Sequence, residues 1–229
     1  MSDLISDSIS DSTAVQRMAE AITAGDIAAA TALLDMHPAM AASRTRTGDS
    51  LVLMALYRGH TALAERLASG AKPDACEAAA LGDATGLRAI LLAETANAVS
   101  SFSSDGWTPL HLAGFFGQHE AAELLLDRGA SLDTLSRNST ANTPLHAALA
   151  GRVNDALVRL LVERGAEVNA RGAHGYTPLH LAASRGAEAL VMLLLVHGAD
   201  AHAMTDDGKT PADIARDRGH ENTAALLET

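Results

Sequence analysis

Two blocks far apart in the chain hold the residue types of acyl transfer. Gly48-Asp49-Ser50-Leu51 offers a serine hydroxyl, and Asp217-Arg218-Gly219-His220 offers an imidazole with a carboxylate three residues before it. A hydroxyl becomes a nucleophile when a histidine takes its proton and an acid orients that histidine, so this set could hydrolyse an ester if folding brought the blocks together. Three of the ten histidines, His111, His146 and His180, recur at nearly equal spacing, and imidazole is a frequent metal ligand. Cys76, the single cysteine, is a further candidate nucleophile. No H-E-x-x-H, no Cys-x-x-Cys and no phosphate-cradling glycine loop is present.

The elements that would have to position these groups follow from an internal repeat. Thr108-Pro109-Leu110-His111, Thr143-Pro144-Leu145-His146 and Thr177-Pro178-Leu179-His180 are three copies of one tetrapeptide, and Thr210-Pro211-Ala212-Asp213 keeps its first half. The four threonines step by 35, 34 and 33 residues, and Gly129-Ala130, Gly165-Ala166 and Gly198-Ala199 run in phase with them. Threonine before proline suits a helix start: the hydroxyl caps an orphan N–H, and proline at the first helical position forfeits no bond. Apolar positions then recur at helical spacing until Gly117, Gly186 or Gly219 turns the chain, and a second helix runs to the Gly-Ala pair. A polar stretch with Asp105-Gly106 or His174-Gly175 near its end leads back to the next Thr-Pro as a hairpin-like turn.

This pattern resembles the ankyrin repeat, a β-turn plus two antiparallel helices with a T-P-L-H signature and a period near 33 residues. The resemblance is strong over 105–229 and identifies the chain as a member of that family, of the bacterial type. Upstream, over 14–104, it is degenerate. There Gly48-Asp49-Ser50-Leu51 stands in the place of Asp-Gly-x-Thr-Pro, followed by Gly59-His60 and Gly70-Ala71, and two more helix pairs surround Gly25 and Gly82 without a Thr-Pro start. The expectation is an all-α solenoid of about seven helix-turn-helix units, joined by hairpin-like turns, over 14–229. The last unit, with Asp213 for histidine and a polar Arg216-Asp217-Arg218, has the character of a cap.

The repeat absorbs the chemical candidates. Gly48-Asp49-Ser50-Leu51 and Asp217-Arg218-Gly219-His220 resemble the nucleophile and histidine blocks of the Gly-Asp-Ser-Leu esterase family, in which the serine follows a buried strand. Here residues 41–47 form no apolar strand. Ser50 lies nine residues before Gly59 as Thr108 lies nine before Gly117, and His220 follows its turn glycine as His60 follows Gly59. The three histidines sit one repeat apart, about 10 Å, whereas a metal holds its nitrogens at about 2 Å. In the repeat family such a histidine ties the turn to the helix start by hydrogen bonds. Cys76 reads as a small core residue. No catalytic residue, no metal and no cofactor is expected.

Composition narrows the partners. A formal net charge of -11 offers no footprint for nucleic acid or anionic lipid. The lone cysteine suits a reducing compartment, and residues 1–13, acidic where a signal peptide is basic, read as a disordered tail on a cytoplasmic, monomeric protein. Ankyrin-like proteins typically bind other proteins through the turn tips and the first helices, which line a concave face. Carried onto this chain, those positions include Asp49, Trp107, Asn142, Tyr176 and Lys209 before each cap, Tyr57-Arg58, Phe115-Phe116 and Ser184-Arg185 at the helix ends, and Arg44, Phe102, Arg171 and Met204 opening the turns. All six aromatic residues of the chain fall on them. The resulting reading is a non-catalytic protein-binding adaptor, scaffold or inhibitor using Phe102, Trp107, Phe115, Phe116, Tyr176, Arg185, Tyr57, Arg58 and Arg171. A masking or regulatory subunit of an enzyme is the alternative, and an esterase the remote one. The turn at 131–142 is two residues longer than the next, and Gly151 follows Thr143 by eight residues instead of nine.

Overall fold

The computed structural model describes residues 11–93, 95–152 and 154–228. Seven helix pairs follow one another: α1 (Asp11–Ala24) and α2 (Ile27–Met36); α3 (Leu51–Tyr57) and α4 (Thr61–Gly70); α5 (Ala75–Leu81) and α6 (Ala84–Ala93); then, after a short α7 (Thr95–Ser100), α8 (Pro109–Phe116) and α9 (His119–Asp127); α10 (Pro144–Ala150) and α11 (Asp155–Glu163); α12 (Pro178–Ser184) and α13 (Glu188–Val196); α14 (Pro211–Asp217) and α15 (Glu221–Leu227). From α3 onward, first helices pack on first helices and most second helices on second helices, giving two layers. Short 3-10 turns occupy Pro38–Ala42 and Ala173–Gly175, and among the described residues the one extended pairing is the Arg44–Ser50 bridge. Of the expected tail, residues 1–10 lie outside the described residues, while Asp11, Ser12 and Thr13 belong to α1.

Two elements are absent from the sequence reading. α7 and the 3-10 turn Pro38–Ala42 each follow a second helix, and each puts apolar residues into the core, Ala98 and Val99 in one case, Met40 and Ala41 in the other. Gly70, read as a turn glycine, instead ends α4 without a left-handed backbone. Only Ala71, Lys72, Pro73 and Asp74 then separate α4 from α5, so the third unit lacks the longer turn that precedes α3, α8, α10, α12 and α14. Its first helix presents Ala78, Ala79 and Ala80, all fully buried, and lets its neighbours close in. Gly151 is also not left-handed; a Cβ there would lie 2.0 Å from the Phe115 carbonyl oxygen, so the fifth unit uses its glycine for close approach and not for the turn.

The consensus units are joined by one repeated device. Thr108 caps α8, its hydroxyl accepting from the His111 N–H (3.4 Å) and lying 2.7 Å from His111 Nδ1. The other ring nitrogen, Nε2, reaches the carbonyl of Asn142 in the next turn at 2.8 Å. A carbonyl only accepts, so Nε2 carries the proton and Nδ1 accepts from the threonine. His146 repeats this with Thr143 and the Tyr176 carbonyl (3.1 Å), and His180 with Thr177 and the Lys209 carbonyl (3.1 Å). In the last unit described, Asp213 accepts from the Thr210 N–H and hydroxyl. Both nitrogens of each histidine are therefore already committed, which leaves no lone pair for a metal.

Burial holds these rings neutral. His111 is fully buried, and desolvation lowers its pKa to about 4; His146 and His180 shift the same way for the same reason. A histidine whose folded pKa lies below its unfolded value binds more protons when unfolded, so stability is complete above about pH 6.5 and falls as the pH drops toward 4. His111 alone accounts for about 3 kcal/mol across that window. Urea titrations at about pH 7.5 and about pH 5 should show a lower midpoint in acid, with the difference reduced in His111→Asn. Gly198→Val tests the register separately: φ is +87° and a Cβ would meet nothing within 4 Å, so the substitution adds backbone strain alone and should cost about 1 to 3 kcal/mol in the same titration.

Candidate functional site

The aromatic residues gather where the periodicity fails. Tyr57 ends α3 and Phe115 and Phe116 end α8, two units apart in sequence, yet the Tyr57 ring lies 5.8 Å from Phe115 and 5.3 Å from Phe116, centroid to centroid. Phe115 touches Phe116 at 5.2 Å and Trp107 at 5.1 Å, the latter edge to face. Such contacts are possible because the intervening α5 carries alanines where a larger residue would separate the rings. With no long turn in the third unit, the turns of the second and fourth meet directly. The Ser104 hydroxyl donates to Asp49 at 3.0 Å, and the Tyr57 hydroxyl donates to Asp105 at 2.5 Å. Burial first, and then the Asp105 carboxylate, push the Tyr57 phenol far above its ordinary range, which keeps it a neutral donor.

Exposure sorts the rings by role. Tyr57 is 39% exposed, Trp107 and Phe115 are half-buried, and Phe116 is only 5% exposed and belongs to the core with Leu112, Leu56 and Ala80. Phe116, expected on the binding face, is therefore a packing residue, with the Arg152 guanidinium 5.7 Å from its ring. Phe102, expected beside Trp107 and the two phenylalanines, stands apart, with the Arg137 guanidinium 3.7 Å above its ring. Tyr176 is half-buried against His180 at 5.5 Å and is separate from the cluster.

The three arginines expected to contact a partner also tie repeats together. Arg58 and Arg185, each just past the end of a first helix, donate to the carbonyls of Thr23 and Ala150 in the preceding unit, at 3.0 and 3.3 Å. A cation at a helix C-terminus also meets the negative end of the helix dipole. Arg171 donates to the Met204 carbonyl and pairs with Asp206 at 3.0 Å. All three remain exposed. The long turn closes on itself: the Ser136 hydroxyl accepts from Asn142 N–H at 3.0 Å and donates to Asn138, whose side chain donates to the Asp105 carbonyl at 3.0 Å.

The acyl-transfer candidates do not assemble. Ser50 is buried at the start of α3, accepts from Leu53 N–H at 3.1 Å and donates to Glu77 at 2.5 Å, while His220 sits at the residue before α15, five units away. At about 10 Å per helix the two are separated by tens of ångströms. Cys76 is 3% exposed, and burial raises its thiol to about 12, away from the reactive thiolate. Phe116→Ala should lower stability by about 3 to 5 kcal/mol, as expected for a buried ring, and a thermal melt that leaves the midpoint unchanged would contradict its place in the core.

Among the described residues no helix is long and apolar enough to cross a membrane. The family model described as "Ankyrin repeats (3 copies)" matches residues 18–134, 75–172 and 154–228. The chain is similar to the Neurogenic locus Notch protein of Drosophila melanogaster, 43% identical over 93 residues, covering 41% of this chain and 3% of that protein. It is also similar to Neurogenic locus notch homolog protein 4 of Homo sapiens, 45% identical over 78 residues (34% of this chain, 4% of that protein). A third relative is the B-cell lymphoma 3 protein homolog of Mus musculus, 40% identical over 82 residues (36% and 18%). The chain thus spans a small part of each relative. With the family model placed on nearly the whole described chain, and with the Thr-Pro-Leu-His caps, paired helices and joining turns in their expected places, this protein belongs to the ankyrin repeat family.

Proposed function

We propose that this protein is a non-catalytic binding module for another protein, used as an adaptor, scaffold or inhibitor, and that its partner docks on the face carrying the turns and first helices. The observation that carries the reading is the Tyr57, Phe115 and Trp107 cluster. A chain that is only 3% aromatic places three of its six rings together and leaves them partly open to solvent. Clustered, partly exposed aromatic rings on a highly charged protein are the composition of an interaction hot spot. Arg58 and Arg185 extend the surface toward the helix ends, and Tyr176 and Arg171 toward the C-terminal turns. The relatives are proteins of different names, each matched over a small part of its length, which fits a module whose surface residues set the partner.

Affinity capture on the full chain, with mass spectrometry, gives a partner for the decisive measurement. Trp107→Ala and Phe115→Ala should each weaken its binding by about 2 kcal/mol, as truncating an aromatic anchor does. Unchanged affinity in both variants would place the interface elsewhere. A partner enzyme whose active site is blocked in the complex would favour the masking-subunit form of the reading.

A further inference from the structure

Within this proposed docking face, the aromatic cluster has a charged border of one sign. Asp49 and Asp105 lie at the turns of the second and fourth units, held by the hydroxyls of Thr45, Thr47 and Ser104 and by those of Tyr57 and Ser103 respectively. Hydroxyl donors hold a carboxylate in place but leave its charge uncompensated. Neither Asp49 nor Asp105 is in a salt bridge with any described residue, whereas Asp74 and Glu77, nearby in the third unit, share Arg44. The hydrogen bond from Thr47, first among its contacts, lowers the Asp49 pKa, so its charge is firmly present at neutral pH. Of the nearby cations, Arg58 is held on the Thr23 carbonyl and Arg152 lies over Phe116, while Arg46, in the same turn as Asp49, forms no salt bridge with it and lines a separate cleft with Val15 and Ser43.

The molecule itself shows what its rings accept. Phe102 has a guanidinium 3.7 Å above its centroid, and Phe116 has one at 5.7 Å. Among the described residues Tyr57, Phe115 and Trp107 have none, although Tyr57 donates to Asp105 and is joined to Trp107 through Phe115. A ring face attracts a cation through its quadrupole, most strongly for tryptophan, and a planar guanidinium can stack on a ring while its edge pairs with a carboxylate. We infer that the partner anchors here through an arginine side chain of a protein segment, its guanidinium on the partly exposed rings of Tyr57, Phe115 and Trp107 and paired with Asp49 and Asp105. An overall charge of -11 adds long-range attraction for such a segment. The inference rests on the docking face proposed above and adds the chemistry of the partner.

A random peptide library displayed on phage, selected on the full chain, supplies the probe. Trp107 is the only tryptophan, so its emission reports on this site alone. Expected are enriched peptides with an arginine at a fixed position that change Trp107 emission and lose at least about tenfold in affinity when that arginine is replaced by citrulline, its neutral near-isostere. Asp49→Asn combined with Asp105→Asn should cost a similar factor, with thermal melts verifying the fold. Because the citrulline comparison uses the unaltered protein, it stands even if the double variant unfolds. Peptides that change Trp107 emission without a fixed arginine, or that bind equally well with citrulline, would overturn the arginine anchor and leave the docking face in place. Peptides indifferent to Trp107→Ala, or no enrichment, would count against both.

Discussion

The fold depends on a histidine ring that does two things at once. In each consensus unit the imidazole accepts from the threonine that caps its own helix and donates to a backbone carbonyl in the next turn. A helix cap and an inter-repeat tie are thereby one interaction, so no unit is fully satisfied until its successor is in place. This makes stacking cooperative in a molecule whose repeats touch only their neighbours. It also requires the ring to be buried and neutral, since a protonated Nδ1 could not accept from threonine. The unit that begins at Thr210 escapes the requirement by using Asp213, which satisfies the same cap without an imidazole.

The N-terminal part solves the same problem with charge. Glu77 occupies the third helical position of α5, where consensus units have histidine, and completes a capping box with Asp74. Its other oxygen turns backward, accepting from Ser50 and pairing with Arg44 of the preceding unit. The tie therefore points toward the N-terminus here and toward the C-terminus after α8. The core changes partners at the same place: α5 gives Ala75, Ala78 and Ala79 to the cluster that runs to Leu227, but Cys76 and Ala80 to the one that begins at Ala14. α8 is shared likewise, with Leu110 and Ala113 on one side and Leu112 and Phe116 on the other.

Much of this was legible in the sequence because repeats convert position into environment. The caps at Thr108, Thr143, Thr177 and Thr210, the helix pairs that follow them and the use of Ser50 as a cap follow from register, and register also places Tyr57 and Phe115 at equivalent helix ends. What register cannot show is contact between units that are not neighbours. Tyr57 meets Phe115 and Asp105 because the third unit is defective, and the signals for that were present as the short Ala71-Lys72-Pro73-Asp74 link and the run Ala78-Ala79-Ala80. Gly70-Ala71 hid them by imitating the marker that elsewhere opens a long turn. Phe116 departs from expectation for a related reason: register makes the two positions before the turn glycine equivalent, whereas consecutive residues of a helix point about 100° apart and Phe115 is the more exposed of the two.

The candidate site is thus a product of broken periodicity. A regular array keeps its first helices a constant distance apart and its turns side by side, so that side chains two units apart do not meet. Removing one turn and shrinking one helix to alanine brings the second and fourth units into contact, and the gap is closed by the largest side chains in the chain and by two carboxylates held with hydroxyls. Packing alone would be served by burying these rings and neutralising these acids, as Phe116 is buried and Asp74 is paired. Tyr57, Trp107 and Phe115 are left partly open, and Asp49 and Asp105 form no salt bridge with any described residue. That combination of apolar face and negative edge, where Phe116 and Asp74 are instead buried or paired, is the basis of the proposed docking face.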